Sequence, residues 1–365
     1  MIKADLALIF PPKENFWPLD SYNISLMPFI GKPLFMRIAE HVLNFVQIQK
    51  LFLLHYGDLN KKALNGINFC KDLEILQLGL DTKATDLLEY LKSLVAERLL
   101  LAFLACDLGI LTFHDFDELL HESSIYVEED TEKILNARAA IRENSRVSPN
   151  IVYVNASKER VILYPWDFLP IVQYVLDSQI TERYISPEAK ISESVNIVGP
   201  CHIDSGAQIL EGAVIKGPCY IGRGVLVGNY ALVRNSIIEA NSIIGAYMEV
   251  ARSWLGMFSE THSGYIGDSI FSERVHVGAG FITANVRLDR QEIRVKLGTR
   301  RLNTGLKKFG TIIGCSTEIG IHSGTMPGVL IGKNVRIGPG TLIFDNVPDG
   351  AVVYTTQQIR TLKND

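Results

Sequence analysis

The chain has 365 residues, 47% hydrophobic and 21% charged, and carries a net charge of −4. That length exceeds what a single core serves and predicts two domains, while the mild acidity gives neither nucleic acid nor an anionic membrane a reason to bind. No apolar run reaches the roughly 18 residues of a membrane span, and the opening MIKADLALIF lacks the basic flank and cleavage site of a secretion signal, so the expectation is a cytoplasmic protein.

Residues 1–180 alternate strand-like and helix-like segments. Leu6–Phe10, Leu51–His55 and Arg98–Ala105 read as strands; Pro33–Phe45 and Thr82–Leu94 read as helices. This predicts an α/β domain with a mostly parallel sheet, whose ligands bind at the carboxyl ends of strands.

Three segments carry a resemblance. The string Pro28-Phe-Ile-Gly-Lys-Pro-Leu34, the strand ending at Cys106-Asp107, and Tyr164-Pro-Trp-Asp167 before a helix resemble the sugar-phosphate nucleotidyltransferases. The resemblance implies a magnesium-binding role for Asp107, with Asp167 as a second candidate, and a nucleoside triphosphate as substrate. The bland alternative is a strand-end carboxylate capping a helix. The departures are chemical. The loop Pro11-Pro-Lys-Glu-Asn-Phe-Trp-Pro18 contains no glycine, although cradling phosphates requires close backbone approach. The family's catalytic Lys falls on Ile24. Residues 1–180 are therefore expected to form a degenerate nucleotidyltransferase-like domain.

From Ile185 the pattern changes. Steps of six land on Ile185, Ile191, Ile197, Ile203, Ile209, Ile215, Ile221, Val227 and Val233. The register slips to Ile238, Ile244 and Val250, becomes irregular, and resumes at Ile313, Ile319, Thr325, Ile331, Ile337 and Ile343. Four residues after each step, on the same inward face of an alternating strand, stand small or β-branched residues: Ala189, Val195, Cys201, Ala207, Ala213, Cys219, Val225, Ala231, then Thr317, Ser323, Val329, Val335 and Thr341. Glycine recurs one residue after the step, as in Gly222, Gly228, Gly314, Gly320, Gly332 and Gly338, where a tight corner is needed. A solenoid of six-residue faces, three per coil, is the architecture that satisfies both periods. Cys201 and Cys219, each in Gly-Pro-Cys, then stack in adjacent coils as small inward residues; a redox or metal pair is the alternative. None of the five cysteines shows zinc-ligand spacing.

Two interruptions are expected, around 251–265 and at 284–310, and insertions in a solenoid often build its binding face. The second holds Arg287, Arg290, Arg294, Lys296, Arg300, Arg301, Lys307 and Lys308 against Asp289 and Glu292, eight minus two or +6, which suits phosphates. Just before it stand Thr261-His-Ser-Gly-Tyr-Ile-Gly-Asp268 and Gly278-Ala-Gly-Phe-Ile-Thr-Ala-Asn285. With Lys307-Lys308-x-Gly and Met326-Pro-Gly-Val-x-Ile-Gly332, these strings resemble the acetyltransferase domain of the bifunctional glucosamine-1-phosphate acetyltransferase/uridylyltransferases, and more closely the archaeal-type sugar-1-phosphate enzymes carrying that domain.

The resemblance implies a left-handed parallel β-helix, a homotrimer and acetyl-CoA as acyl donor. It implies His262 as general base, with Tyr265 and Asn285 contacting the acceptor. Arg252 falls where the family places a Lys facing the sugar phosphate, and Arg234 near the family's Arg one coil earlier, each displaced by one residue. Lys307 and Lys308 are carried over as substrate-phosphate contacts. Arg287 and Arg294 in the basic segment, together with Ser323 and Gly340 along a small-residue groove, are the expected coenzyme A contacts. A neutral amine is the nucleophile in such a transfer, so a base near neutrality is what the chemistry needs.

The expected organisation is 1–180 α/β, 181–350 β-helix and 351–365 tail. The expected function is an acetyl-CoA-dependent N-acetyltransferase acting on an amino-sugar-1-phosphate or a nucleotide-linked amino sugar. A working nucleotidyltransferase with a β-helix that only trimerises, and a non-catalytic assembly subunit, remain alternatives.

Overall fold

The computed structural model describes residues 2–9, 17–20, 28–33, 36, 46–56, 73–78, 99–104, 151–154 and 164–356. Contacts divide the chain into two compact units, one of Met1–Phe16 and Tyr22–Asp167, the other of Trp17–Ser21 and Phe168–Asp365.

In the first unit a five-stranded parallel sheet runs in the order Leu73–Leu78, Val46–Tyr56, Ile2–Ile9, Leu99–Leu104, Ile151–Val154. The chain builds outward from Ile2–Ile9 on one side and then on the other, the topology that creates a switch point beside the first strand. The three strands expected from sequence are present, with Leu6–Phe10 extended back to Ile2 and Leu51–His55 to Val46. Pro33 belongs not to a helix but to a two-residue strand pairing with Pro28–Phe29. The rest of that expected helix, apart from Met36, lies outside the described residues, as do the helix Thr82–Leu94 and Asp107.

The second unit is the expected solenoid. Strands of two to four residues stack into three parallel sheets. The first sheet has eight strands, from Arg183–Ile185 to Val329–Ile331; the second has nine, from Lys190–Ile191 to Val352–Val353; the third has eight, from Asn196–Val198 to Leu342–Ile343. Each aliphatic step pairs in register with the step one coil on, as Ile203 with Ile221 and Ile209 with Val227. Ile203, Ile215, Ile221, Val227 and Val233 are 0% exposed, so the prism is a dry aliphatic column, and shortening one of these Ile side chains to Ala would cost about 2–5 kcal/mol.

The irregular spacing at 251–265 is not an excursion, which corrects the sequence reading. Trp254–Leu255, Glu260–Thr261 and Gly264–Gly267 each take their place in a sheet. What changes is coil length: Val233 pairs with Ile215 eighteen residues back, with Val250 seventeen on, and Val250 pairs with Ile266 sixteen on. The corner Lys216-Gly-Pro-Cys219 becomes Arg234-Asn-Ser236, with Asn235 at φ 49°, a left-handed conformation that Asn tolerates. The serine then makes the shorter corner hold. The Ser236 hydroxyl donates to the Arg234 carbonyl and accepts the N–H of Ser253. Ser253 repeats this with Ala251 and Ser269, and Ser269 with Gly267 and Thr311. A column of buried hydroxyls thus continues the column begun by Cys201 and Cys219, which are free, buried and paired in register.

The helix Phe168–Gln179 buries Phe168, Leu169, Ile171, Val172, Val175 and Leu176, one apolar stripe at helical spacing. Phe168 packs on Trp254, whose strand lies in the first sheet, at 6.0 Å between ring centroids. From the third strand of that sheet onward the outward-facing residues Tyr220, Ile237, Trp254, Ile270, Ile312 and Leu330 are buried, whereas Tyr184 in the first strand is 51% exposed. The chain leaves the third sheet at Thr283 and re-enters the first at Thr311, and between them it forms an antiparallel hairpin, Arg294–Leu297 against Arg300–Asn303.

Candidate functional site

At the corner from the second sheet to the third, the place just after the inward step is glycine in coil after coil: Gly228, Gly245, Gly278, Gly320 and Gly338. In the coil between Gly245 and Gly278 it is His262. The His262 backbone pairs as its neighbours do, its N–H donating to the Val277 carbonyl. Its side chain is exposed and points away from the prism.

His262 borders a groove of about 910 Å³ on the outer face of the second sheet. The floor is the outward ladder Glu260, His276, Glu318, Arg336, each opposite the next in register. One wall is Phe258 and Arg274, with the guanidinium 5.2 Å from the ring centroid. The other wall is His262, Gly278, Ala279, Gly320 and Ile321. The His276 ring stands 5.8 Å from that of His262 at 73°, and its Nδ1 lies 3.3 Å from Glu260.

A second cluster forms where the third sheet turns into the first. Tyr265 folds across Gly267, which has no Cβ to obstruct its phenol. The Asn285 amide donates to the Tyr265 hydroxyl at 3.2 Å and to Asp268. Arg252 donates to both oxygens of Asp268 at 2.6 Å. The hydrogen bond to Asp268 comes first among the influences that push the Arg252 pKa upward, so this cation stays charged. On the same outer face Arg234 pairs with Glu249 at 2.7 Å.

Four expected site residues, Arg234, Arg252, Tyr265 and Asn285, therefore share one face; Arg252 and Asn285 meet at Asp268, and Asn285 carries the link on to Tyr265. His262 lines a different surface, the groove. Other expected residues lie elsewhere. Ser323 is 4% exposed, its hydroxyl donating to the Gly338 carbonyl and accepting the Thr341 N–H; it is an interior residue of the prism, which corrects its expected surface role. Gly340 is an exposed corner at φ 66°. Arg287 is gripped by Asp289, whose carboxyl it holds well below the usual range. Asp167 accepts the Tyr164 N–H at 2.8 Å in a capping turn.

The basic excursion docks on its own solenoid through buried Ile293, Val295 and Phe309 against Gly328, and through the Asn346 amide to the Lys296 carbonyl at 2.6 Å. Alternation along the hairpin puts Arg294, Lys296 and Arg301 on the face opposite Val295, and all three are exposed, like Lys307 and Lys308. None of them lines the groove of His262 within the chain. Sequence reasoning missed Asp268, which it saw only as part of a string, and missed His276, Glu260, Arg274 and Arg336. Among the described residues no group of three or more His, Cys, Asp or Glu is placed to hold a metal ion.

Residues 310–345 match the bacterial transferase hexapeptide (six repeats) family. The chain is 37% identical over 197 residues to the bifunctional protein GlmU of Methanocaldococcus jannaschii, covering 53% of this chain and 47% of that one. It is 34% identical over 189 residues to a bifunctional sugar-1-phosphate nucleotidylyltransferase/acetyltransferase of Sulfurisphaera tokodaii, covering 51% and 46%. A bifunctional protein GlmU of Methanococcus maripaludis is 31% identical over 304 residues, covering 82% of this chain and 70% of that one. The matched stretch spans about half the length of the first two relatives.

Proposed function

The chain belongs to the family of GlmU-like bifunctional sugar-1-phosphate nucleotidyltransferase/acetyltransferases, and on that premise we propose that its β-helix transfers an acetyl group from acetyl-CoA to the amine of an amino-sugar-1-phosphate or nucleotide-linked amino sugar. The observation that carries the reading is His262: an imidazole set out from the prism where the neighbouring coils have glycine, bordering a groove large enough for a nucleotide-sized ligand.

Acetyl-CoA supplies the thioester carbonyl. His262 takes the proton from the acceptor amine as it attacks, and a backbone N–H at the glycine-lined edge is the donor available to the developing oxyanion. An acceptor with its amine at His262 and extending over the third-sheet strand Gly264–Gly267 would meet the Tyr265 phenol and the Asn285 amide on the far side, where Arg252, held in plane by Asp268, is a bidentate partner for its phosphate. Arg274 and Arg336 supply positive charge along the groove for the donor's phosphates.

A homotrimer completes the reading. Ile282 is 54% exposed, Leu342 49%, Phe344 66% and Leu288 99%, an apolar strip on and beside the third sheet that a copy of the chain would cover. The excursion turns Arg294, Lys296 and Arg301 away from its own solenoid, which suits delivery of these cations, with Lys307 and Lys308, to a neighbouring subunit's ligand. In the α/β unit the loop after the first strand has no glycine and Ile24 stands at the Lys position, so this unit is taken as a remnant without nucleotidyl transfer.

The test is to incubate the full chain with acetyl-CoA and glucosamine-1-phosphate or galactosamine-1-phosphate and follow free thiol. Release of thiol that depends on the amine is the expected result; none with any amino-sugar acceptor would discard the reading. Pyrophosphate release from UTP or dTTP with magnesium and a sugar-1-phosphate would instead revive nucleotidyl transfer.

A further inference from the structure

The groove contains a second imidazole that the reaction as written leaves unused. Glu260 and His276 are opposite each other in register on adjacent strands. Glu260 and His262 are two residues apart, so His276 is the diagonal neighbour of His262, and their rings meet at 5.8 Å and 73°. The remaining neighbours of His262 in its own column, Gly245 and Gly278, have no side chain to steady it.

Every charged group around His276 can be assigned. Glu318 faces it from the following strand and is engaged by Arg336 at 3.4 Å. Arg274, two residues earlier, lies over Phe258 and beside Glu273 at 3.4 Å. Glu260 is left to His276, with its oxygen 3.3 Å from Nδ1. A carboxylate beside that nitrogen favours the Nδ1–H tautomer and restrains the plane of the ring.

We infer that Glu260 and His276 are positioning residues for His262: the carboxylate orients one imidazole, whose edge-to-face contact holds the second in the rotamer that meets the acceptor amine. The inference rests on the acetyl-transfer reading for its kinetic consequence but not for its structural one. Two measurements on the full chain separate them. In steady-state thiol release, His276→Ala and Glu260→Ala should each lower kcat about tenfold, a part of the roughly 10²–10⁴-fold a general base supplies, with the KM for acetyl-CoA within about twofold. Glu260→Gln, which keeps an acceptor oxygen for Nδ1–H, should retain at least about half the activity.

In spectra of protein labelled with ¹⁵N-histidine, without substrate, the ring signals of His262 should move in both alanine variants and stay in place in Glu260→Gln. An active enzyme with unchanged kcat in His276→Ala would overturn the inference and leave the acetyl-transfer reading intact. A wild-type chain that releases no thiol would end that reading, and the spectra would still decide the inference. His262 signals unmoved by His276→Ala would overturn it in either case.

Discussion

Arg252 holds both oxygens of Asp268 at 2.6 Å, across the corner between two successive coils. Both residues sit in left-handed backbone at φ 49°, where one residue replaces the Gly-Pro of earlier coils. The shortened corner is what stacks them, and the stack is what brings Asp268 within reach of Asn285 and, through it, of Tyr265.

Asp268→Ala should therefore damage stability and function together. The Arg252 side chain is 26% exposed and would lose its counter-charge, at a cost of roughly 2–3 kcal/mol in chemical denaturation. Acyl transfer should also lose affinity for the phosphorylated acceptor, since Arg252 and Asn285 lose their common anchor. Arg252→Lys keeps the charge but not the two-pronged geometry, and should raise the acceptor KM while leaving stability nearer to wild type.

The proposed trimer would draw on the exposed apolar residues Ile282, Leu288, Leu342 and Phe344. Sedimentation of the wild-type chain should give three chain masses. Phe344→Asp or Leu288→Asp should shift the population to monomer, because each puts a charge on a surface that the trimer removes from water. A wild-type monomer would remove the trimer from the account.

The turn Trp17–Asp20 reports on the last coils of the solenoid. The Trp17 indole donates to Asp349 at 2.8 Å, and Lys333 lies 3.4 Å from both Asp20 and Asp349. Burial alone would raise the Asp349 carboxyl, but the Trp17 N–H and the Lys333 backbone and ammonium outweigh it and hold the pKa below its ordinary value. A carboxylate depressed on folding contributes stability above its unfolded pKa and loses it as the pH falls through the folded one. Trp17 fluorescence in a Trp166→Phe, Trp254→Phe background should thus change on acidification before global unfolding, and Asp349→Asn should abolish that early step.

The two stacked cysteines should be chemically silent. Burial pushes the Cys219 thiol up to about 12, and Cys201 is raised by the same cause. Mass spectrometry after iodoacetamide treatment at mildly alkaline pH should find both unmodified in the folded chain and alkylated in denaturant.

The solenoid was legible because its signal is additive: each Ile or Val step repeats the same burial, and the small residue four places later tests it independently. The legibility failed where the chain shortened its corners. Asn235, Arg252 and Asp268 each replace two residues by one, so six-step counting loses the frame although the pairing of Val233, Val250 and Ile266 continues. His262 was visible through its motif, and it also had a signal internal to the chain, a histidine in a column of glycines. His276 and Glu260 had no such mark. They occupy ordinary outward strand positions, and only the register between coils, which sequence alone does not fix here, makes them neighbours of His262 and of each other. Ser323 erred for a simple reason: its place in the repeat already assigned it to the interior.

The central claim is that His262 serves an acyl transfer. Thiol release from acetyl-CoA, in the presence of saturating glucosamine-1-phosphate or galactosamine-1-phosphate, should fall at least about a hundredfold in kcat with His262→Ala while the thermal midpoint stays near wild type. Equal rates for the wild-type and His262→Ala proteins would contradict the account.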